Sequence, residues 1–88
     1  REALPPGSTV GVLGAGQLGR MFAAEAVRMG YRVHVFAPDA EGSPTAAVAE
    51  RVVEAPWSDE GALRAFANQV AAVTLEFENV QLATRSYK

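Results

Sequence analysis

A glycine-rich stretch near the start of the chain, VLGAGQLGRM at residues 12–21, has the composition of an anion-binding loop. Its Gly14, Gly16 and Gly19 fit the spacing GxGxxG. Between a strand and a helix, such glycines permit a tight turn and let backbone N–H groups at the helix N-terminus approach a phosphate or carboxylate. Gln17 opens the helix, where its amide could hydrogen-bond the same ligand or simply be solvated. The placement of the loop makes the spacing more informative than the motif alone.

A second group of polar residues lies in VTLEFENV, at residues 73–80. If this segment is one strand, Glu76 and Glu78 share a face and lie about 7 Å apart. If the strand ends at Leu75, both carboxylates are solvated. In a parallel sheet built from this chain, the carboxyl ends of the first and last strands adjoin at a switch point where ligands bind. Glu76 could therefore reach the same ligand as the Gln17 loop.

A nicotinamide dinucleotide is another ligand that the loop spacing suggests. Such a site needs an acidic residue at the end of the second strand, about 20 residues beyond the loop, to hold the adenosine ribose. Asp39 has this separation from Gly19, but Ala37 and Pro38 lie between it and the predicted strand. We therefore interpret Asp39 as a turn residue and keep the nicotinamide site as an alternative.

Three other features that can carry chemistry have simpler interpretations. His34 lies inside an apolar strand, so we interpret it as a satisfied core residue rather than as a base or ligand. Trp57 is interpreted as a packing residue at a loop. Paired carboxylates can cleave glycosides, but nothing else in the sequence supports that reaction.

The composition narrows the classes of function. The 88 residues suffice for one small domain, and the formal net charge of -2 comes from interspersed charges with no basic stripe for nucleic acid. The chain has no cysteine and one histidine, so no metal site is expected. No apolar run approaches the roughly 20 residues of a membrane span, and the N-terminus has no signal core. We expect a cytoplasmic protein that binds neither nucleic acid nor membrane.

The elements that must position these residues alternate between strand and helix. Strands are predicted at residues 9–13, 32–36, 51–54 and 73–77, and helices at 17–29, at 45–50 and from an N-cap at Ser58 to about Val70. Right-handed crossovers then give an α/β fold, a half-Rossmann three-layer sandwich with a four-stranded parallel sheet in the order 3-2-1-4.

Apolar residues recur at helical spacing in the two longer helices, which predicts the side that each helix buries. The predicted buried stripe of the first helix is Leu18, Met21, Phe22, Ala26 and Met29. That of the last helix is Leu63, Phe66, Ala67 and Val70.

The combination of GQLGRM with EFENV is much more specific than the glycine spacing. Over residues 8–80 the chain resembles the N-terminal, pre-ATP-grasp, Rossmann-like domain of the 5-(carboxyamino)imidazole ribonucleotide synthases. These are ATP-grasp ligases of de novo purine biosynthesis, which carboxylate aminoimidazole ribonucleotide with bicarbonate and ATP. The resemblance implies a Rossmann-like domain that binds no dinucleotide.

The resemblance also implies which residues contact the ribonucleotide. Gly14 and Gly16 of the loop, with Gln17 and Leu18, should lie against it, and Glu76 should hydrogen-bond its ribose or amine. Further candidate contacts are Glu78 and Asn79. No catalytic residue and no metal ligand is expected here, because ATP, magnesium and bicarbonate are handled mainly by the ATP-grasp domains of the family.

The chain departs from the family pattern near its end. Gln81 stands where the family usually has proline, and QLATRSYK does not match the expected helix. We expect a domain at residues 1–80, a tail of uncertain origin at 81–88, and no ATP-grasp portion. Such a fragment should be inactive alone and should require aminoimidazole ribonucleotide and the missing ATP-grasp domain as partners. The exposed edge of the fourth strand could also pair with a second copy.

Two alternatives to this hypothesis belong to other classes of protein. One is a truncated NAD(P)-binding dehydrogenase domain. The other is an isolated or engineered folded module that retains no ligand.

Overall fold

Short runs of β-branched and apolar residues form the strands of one parallel sheet. The computed structural model describes residues 4–75. The elements in chain order are β1 (Thr9–Leu13), α1 (Gln17–Arg28), β2 (Arg32–Ala37), a 3₁₀ helix (Ala46–Val48), β3 (Arg51–Glu54), α2 (Glu60–Asn68) and β4 (Ala72–Leu75). The strands pair in parallel in the order β3-β2-β1-β4. The predicted α/β fold class and strand order are confirmed.

Both faces of the sheet are covered, as near-continuous apolar strands require. On one face, Val10 and Val12 of β1 pack with Ala23 and Ala26 of α1. On the opposite face, Leu13 packs in a second cluster with residues of β2 and α2, which are Phe36, Leu63 and Phe66. Alternate residues of β1 therefore contact different helices, which gives the three-layer sandwich.

The buried side of α1 differs from the predicted one. Of the predicted stripe only Ala26 is buried, whereas Leu18, Met21, Phe22 and Met29 are 66%, 60%, 42% and 57% exposed. The side that packs on the sheet carries the small residues Gly19, Ala23 and Ala26. The predicted stripe was chosen from the large apolar side chains of the helix. In the structure the small residues face the sheet instead, because they let the helix backbone lie closer to it.

The helix α2 buries the predicted residues but begins at a different cap. All four members of its predicted stripe are buried, which are Leu63, Phe66, Ala67 and Val70. The N-cap is Asp59, not the predicted Ser58, and its Oδ1 accepts a hydrogen bond from the Ala62 N–H at 3.0 Å. Both residue types are good N-caps, so the sequence alone could not choose between neighbours.

The other predicted elements are confirmed with small shifts in their bounds. β1 and β3 have the predicted bounds, β2 extends by one residue to Ala37, and the short helix is a single 3₁₀ turn. Trp57 packs on Phe36 with ring centroids 5.7 Å apart, as a packing residue should. β4 begins at Ala72 and is an outer strand of the described sheet. The rest of the predicted fourth strand, residues 76 and 77, and the predicted tail lie outside the described residues.

The contact between β1 and α2 is close enough to require glycine. A Cβ added at Gly11 would lie 2.8 Å from Cε2 of Phe66 and 3.1 Å from Cγ2 of Val70. Both contacting residues are buried, so neither ring nor methyl group can move away without repacking the core. Gly11 therefore sets how near α2 lies to the sheet.

We predict that Gly11→Ala lowers the free energy of unfolding by about 1–3 kcal/mol, because the added methyl group overpacks this contact. The measurement is urea unfolding followed by circular dichroism. Gly61→Ala in α2 is the matched control, since its nearest neighbour would be the Asp59 Oδ1 at 3.8 Å. The control should keep or raise stability, as alanine favours helix over glycine. A Gly11→Ala variant as stable as the parent chain would contradict the close packing.

Candidate functional site

The glycine-rich loop connects the end of β1 to the start of α1 and crosses toward β2. Gly14 has φ 122°, a conformation that side chains other than glycine's rarely adopt. Its N–H donates to the Phe36 carbonyl at 3.0 Å, which holds the loop against the end of β2. Gly16 is the N-cap of α1 and has extended backbone. The predicted turn at Gly14 is confirmed.

The N-terminus of α1 differs from that of α2 in its electrostatics. At α2, Asp59 caps the first turn and Glu60 adds a second carboxylate where the helix dipole favours negative charge. At α1, no side chain caps the helix and the first turn has no acidic residue. The partial positive charge of α1 is thus not offset by a carboxylate of its own first turn. An external anion would be favoured there.

Gln17 and Leu18 form the start of α1, beside this helix end. Both side chains are exposed, and Leu18 is 66% exposed. An exposed leucine next to a helix N-terminus offers an apolar surface to a ligand, and the amide of Gln17 offers a donor and an acceptor. The structure therefore brings four of the predicted site residues together, which are Gly14, Gly16, Gln17 and Leu18.

The end of β4 lies next to the beginning of the loop. Leu13, the last residue of β1, pairs with Phe36 of β2 on one side and with Leu75 of β4 on the other. The chain runs from β1 to β2 and β3, and then returns through α2 to β4, so β1 and β4 flank the topological switch point. Open α/β sheets bind their ligands at such a point. The predicted contacts Glu76, Glu78 and Asn79 lie outside the described residues.

Comparison with known proteins gives the family. A family model described as the ribonucleotide synthetase preATP-grasp domain matches residues 7–87. The chain belongs to this family. The resemblance drawn from the sequence motifs is thereby confirmed.

Individual relatives of this preATP-grasp domain agree with the match. The chain is 45% identical over 83 residues to the N5-carboxyaminoimidazole ribonucleotide synthase of Brucella melitensis, covering 94% of the chain and 23% of that protein. The Staphylococcus aureus N5-carboxyaminoimidazole synthetase complexed with ADP superposes with a TM-score of 0.82 at 42% identity, covering 86% of this chain and 20% of that one.

A third relative was solved with two ligands. The Aspergillus clavatus N5-carboxyaminoimidazole synthase, in complex with ADP and 5-aminoimidazole ribonucleotide, superposes with a TM-score of 0.67 at 29% identity. The match covers 91% of this chain and 22% of the Aspergillus chain. The present chain thus spans between a fifth and a quarter of these three relatives.

The sequence analysis did not find one residue that contacts the glycine-rich loop. The hydroxyl of Thr45 donates to the carbonyl of Gly16 at 3.0 Å, although 29 residues separate them. Thr45 is fully buried. In the sequence it is the first residue of the short helix predicted at 45–50, a position that gives no sign that this threonine contacts the loop.

A cavity of about 220 Å³ is lined by apolar side chains, including Leu4, Val10, Phe22 and Met29. It shares no residue with the glycine-rich loop. Its lining also includes Glu25, whose carboxylate would repel a phosphate, and Tyr31, whose hydroxyl already donates to the Leu4 carbonyl at 2.6 Å. This cavity is therefore separate from the candidate site.

Residues 4–75 contain no helix suited to crossing a membrane and no cluster suited to binding a metal. None of the helices in this range is long and apolar enough to cross a membrane. The same range contains no group of three or more His, Asp or Glu side chains arranged to hold a metal ion.

Charged residues of β2 and of the segment just before β3 lie near His34. Arg32 makes a two-pronged contact with Glu50, in which Nη2 lies 2.6 Å from Oε2 and Nε lies 3.1 Å from Oε1. His34 Nε2 lies 3.7 Å from Oε1 of Glu50, and its buried Nδ1 has no hydrogen-bond partner in the described part of the chain. His34 lies beside the ring of Phe66, with centroids 6.4 Å apart, as a core residue should. The expectation that it is satisfied is wrong for Nδ1, which no hydrogen-bond partner among residues 4–75 reaches.

The environment of His34 disfavours its charged form. Burial lowers its pKa, the Glu50 carboxylate opposes this effect, and Arg51 and Arg32 add to the lowering. The Arg32 hydrogen bond lowers the pKa of Glu50 below its ordinary value of 4.5. His34 is therefore neutral in the folded chain at neutral pH, and a proton binds the unfolded chain more readily.

We predict that stability falls between about pH 7.5 and about pH 5.5 because of His34, whose ordinary pKa near 6.5 lies in this window. The unfolded chain takes up the proton first as the pH falls, which favours unfolding. His34→Gln should lose less stability than the parent chain across this window, measured by urea unfolding at both pH values. Glu50→Gln is the control and should keep or deepen the fall, since Glu50 itself titrates below the window and its carboxylate opposes the lowering of the His34 pKa. Equal losses in the parent chain and His34→Gln would contradict the assignment.

Proposed function

We propose that this chain forms the ribonucleotide-binding N-terminal domain of an ATP-dependent ligase that carboxylates aminoimidazole ribonucleotide in purine biosynthesis. The observation that carries the proposal is the N-terminus of α1, which has no carboxylate of its own and lies at the switch point beside the end of β4. The Aspergillus relative crystallised with ADP and 5-aminoimidazole ribonucleotide supports the choice of substrate.

Each predicted site residue has a role that follows from its chemistry. Backbone N–H groups of the Gly14–Gly16 turn and the positive end of α1 attract an anionic group of the ribonucleotide. The Gln17 amide hydrogen-bonds the ligand, and the Leu18 side chain packs against it. Glu76 follows Leu75, whose backbone pairs with β1, and accepts a hydrogen bond from the ribose or the amine. Glu78 and Asn79 are further contacts in this proposal.

The remaining steps of the reaction belong to other parts of such an enzyme. Carboxylation with bicarbonate requires ATP and magnesium, which activate the bicarbonate. In the family these ligands are handled mainly by the ATP-grasp domains. We propose that the present chain alone binds no cofactor and is inactive, and that the ATP-grasp domain is its partner. Pairing of two copies through the β4 edge stays a prediction.

We predict that Glu76→Ala in the complete enzyme raises the KM for aminoimidazole ribonucleotide about 10- to 100-fold, the cost of losing a hydrogen bond to a charged group. The KM for ATP should stay nearly constant, because ATP is held elsewhere. Steady-state kinetics with each substrate varied in turn gives both values. Glu25→Gln, an exposed acid in the later half of α1, is the control and should change neither. Equal losses for both substrates with Glu76→Ala would count against the role.

A ligand titration separates the proposal from its alternatives. Calorimetry should show no binding of NAD, since Asp39 is an exposed turn residue two positions beyond the end of β2. Micromolar binding of NAD would instead support a dehydrogenase domain. Binding of neither NAD nor aminoimidazole ribonucleotide would support a folded module with no retained ligand.

A further inference from the structure

Thr45 connects the segment between β2 and β3 to the glycine-rich loop. Its side chain is fully buried, and among residues 4–75 no other polar or charged residue is. Burying a hydroxyl is costly unless it is hydrogen-bonded. Thr45 meets this requirement through one contact, in which Oγ1 donates to the Gly16 carbonyl at 3.0 Å.

The Gly16 carbonyl accepts a second hydrogen bond, from the N–H of Arg20 at 3.1 Å. A carbonyl oxygen has two lone pairs, so both donors can be accommodated. The Arg20 bond is the first one within α1 and aligns this carbonyl along the helix. The Thr45 bond approaches from a different element of the fold. Together the two donors fix the rotation of the peptide group between Gly16 and Gln17.

The orientation of this peptide determines where its N–H points. The peptide is trans, so the Gly16 carbonyl and the Gln17 N–H point in opposite directions. Holding the carbonyl toward Thr45 and Arg20 therefore directs the Gln17 N–H to the opposite side, out of the N-terminus of α1. An anion bound at that end would meet this N–H.

The backbone around Thr45 is itself held in place. The Thr45 carbonyl accepts from the N–H of Val48 at 3.1 Å, and the Ser43 hydroxyl oxygen accepts from the N–H of Ala46 at 3.1 Å. The Ser43 N–H donates to the carbonyl of Ala40, which is fully buried. Thr45 thus belongs to a hydrogen-bonded segment and transfers the position of that segment to the loop.

We infer that Thr45 is a positioning residue for the ribonucleotide site: its hydroxyl holds the Gly16–Gln17 peptide so that the Gln17 N–H faces the phosphate of the ligand. This inference rests on the proposed function. Thr45 is buried and does not touch the ligand, so its effect passes through the peptide group alone. Loss of the hydroxyl should therefore weaken the binding of aminoimidazole ribonucleotide and leave the binding of ATP unchanged.

The test uses steady-state kinetics of the complete enzyme carrying Thr45→Val, which keeps the shape of the side chain and removes the hydroxyl. We expect the KM for aminoimidazole ribonucleotide to rise about tenfold, as for loss of one buried hydrogen bond, while the KM for ATP changes little. Thr45→Ser keeps the hydroxyl and should restore ribonucleotide binding. Because Thr45→Val removes the Thr45 donor from the Gly16 carbonyl, which keeps the Arg20 N–H, and also puts an apolar group beside that oxygen, a second pair of variants is compared. Thr45→Ser and Thr45→Ala both lack the methyl group and differ in the hydroxyl, so the KM for ribonucleotide should be higher in the alanine variant.

The outcomes separate the inference from the proposed function. A parent enzyme that does not use or bind aminoimidazole ribonucleotide would overturn the proposed function, whatever Thr45 does. A parent that binds it, with Thr45→Val and Thr45→Ala binding equally well, would overturn the inference and leave the function standing. Equal losses for ribonucleotide and ATP that Thr45→Ser does not restore would also overturn the inference, since they would show a general structural role.

Discussion

The parallel pairing of β1 with both of its neighbours is the constraint on which the other features of this domain depend. Leu13 is paired on one side with Phe36 and on the other with Leu75, so three strands end at the same edge. The loop starts at this edge and is fastened to the Phe36 carbonyl. Gly11, in the middle of the same strand, sets the distance of α2. One central strand thus positions the loop, a helix and the end of β4.

The two α-helices use their N-termini differently. Asp59 and Glu60 stabilise α2 from within the chain, as in an ordinary structural helix. α1 has neither a capping side chain nor an acid in its first turn, and its N-cap is a glycine. This contrast says more about ligand binding at α1 than the glycine spacing does. The same chain contains a helix, α2, whose N-terminus is capped by its own carboxylates, and α1 lacks them. The contrast supports a ligand role for the α1 end and a structural role for that of α2.

Much of the fold could be predicted from the sequence because strands and helices leave periodic patterns. β1 and β3 were predicted to the residue, and the buried stripe of α2 was correct. The buried side of α1 was not, because Gly19, Ala23 and Ala26 bury little area each and give a weak pattern beside the larger Leu18 and Met21. The loop residues of the candidate site were found from a local motif. Thr45 and the unpartnered Nδ1 of His34 depend on contacts between distant residues, which local patterns do not encode.

The pairing of β1 with β4 also has a kinetic consequence. Val10 of β1 pairs with Ala72 of β4, so these two strands can pair only when residues far apart in the sequence come together. Contacts between residues far apart in sequence have a loop-closure entropy cost that grows with their separation, and folds rich in such contacts form more slowly. During synthesis β1, α1 and β2 emerge from the ribosome well before β4. We therefore expect the edge at which the loop meets the last strand to be completed late in folding.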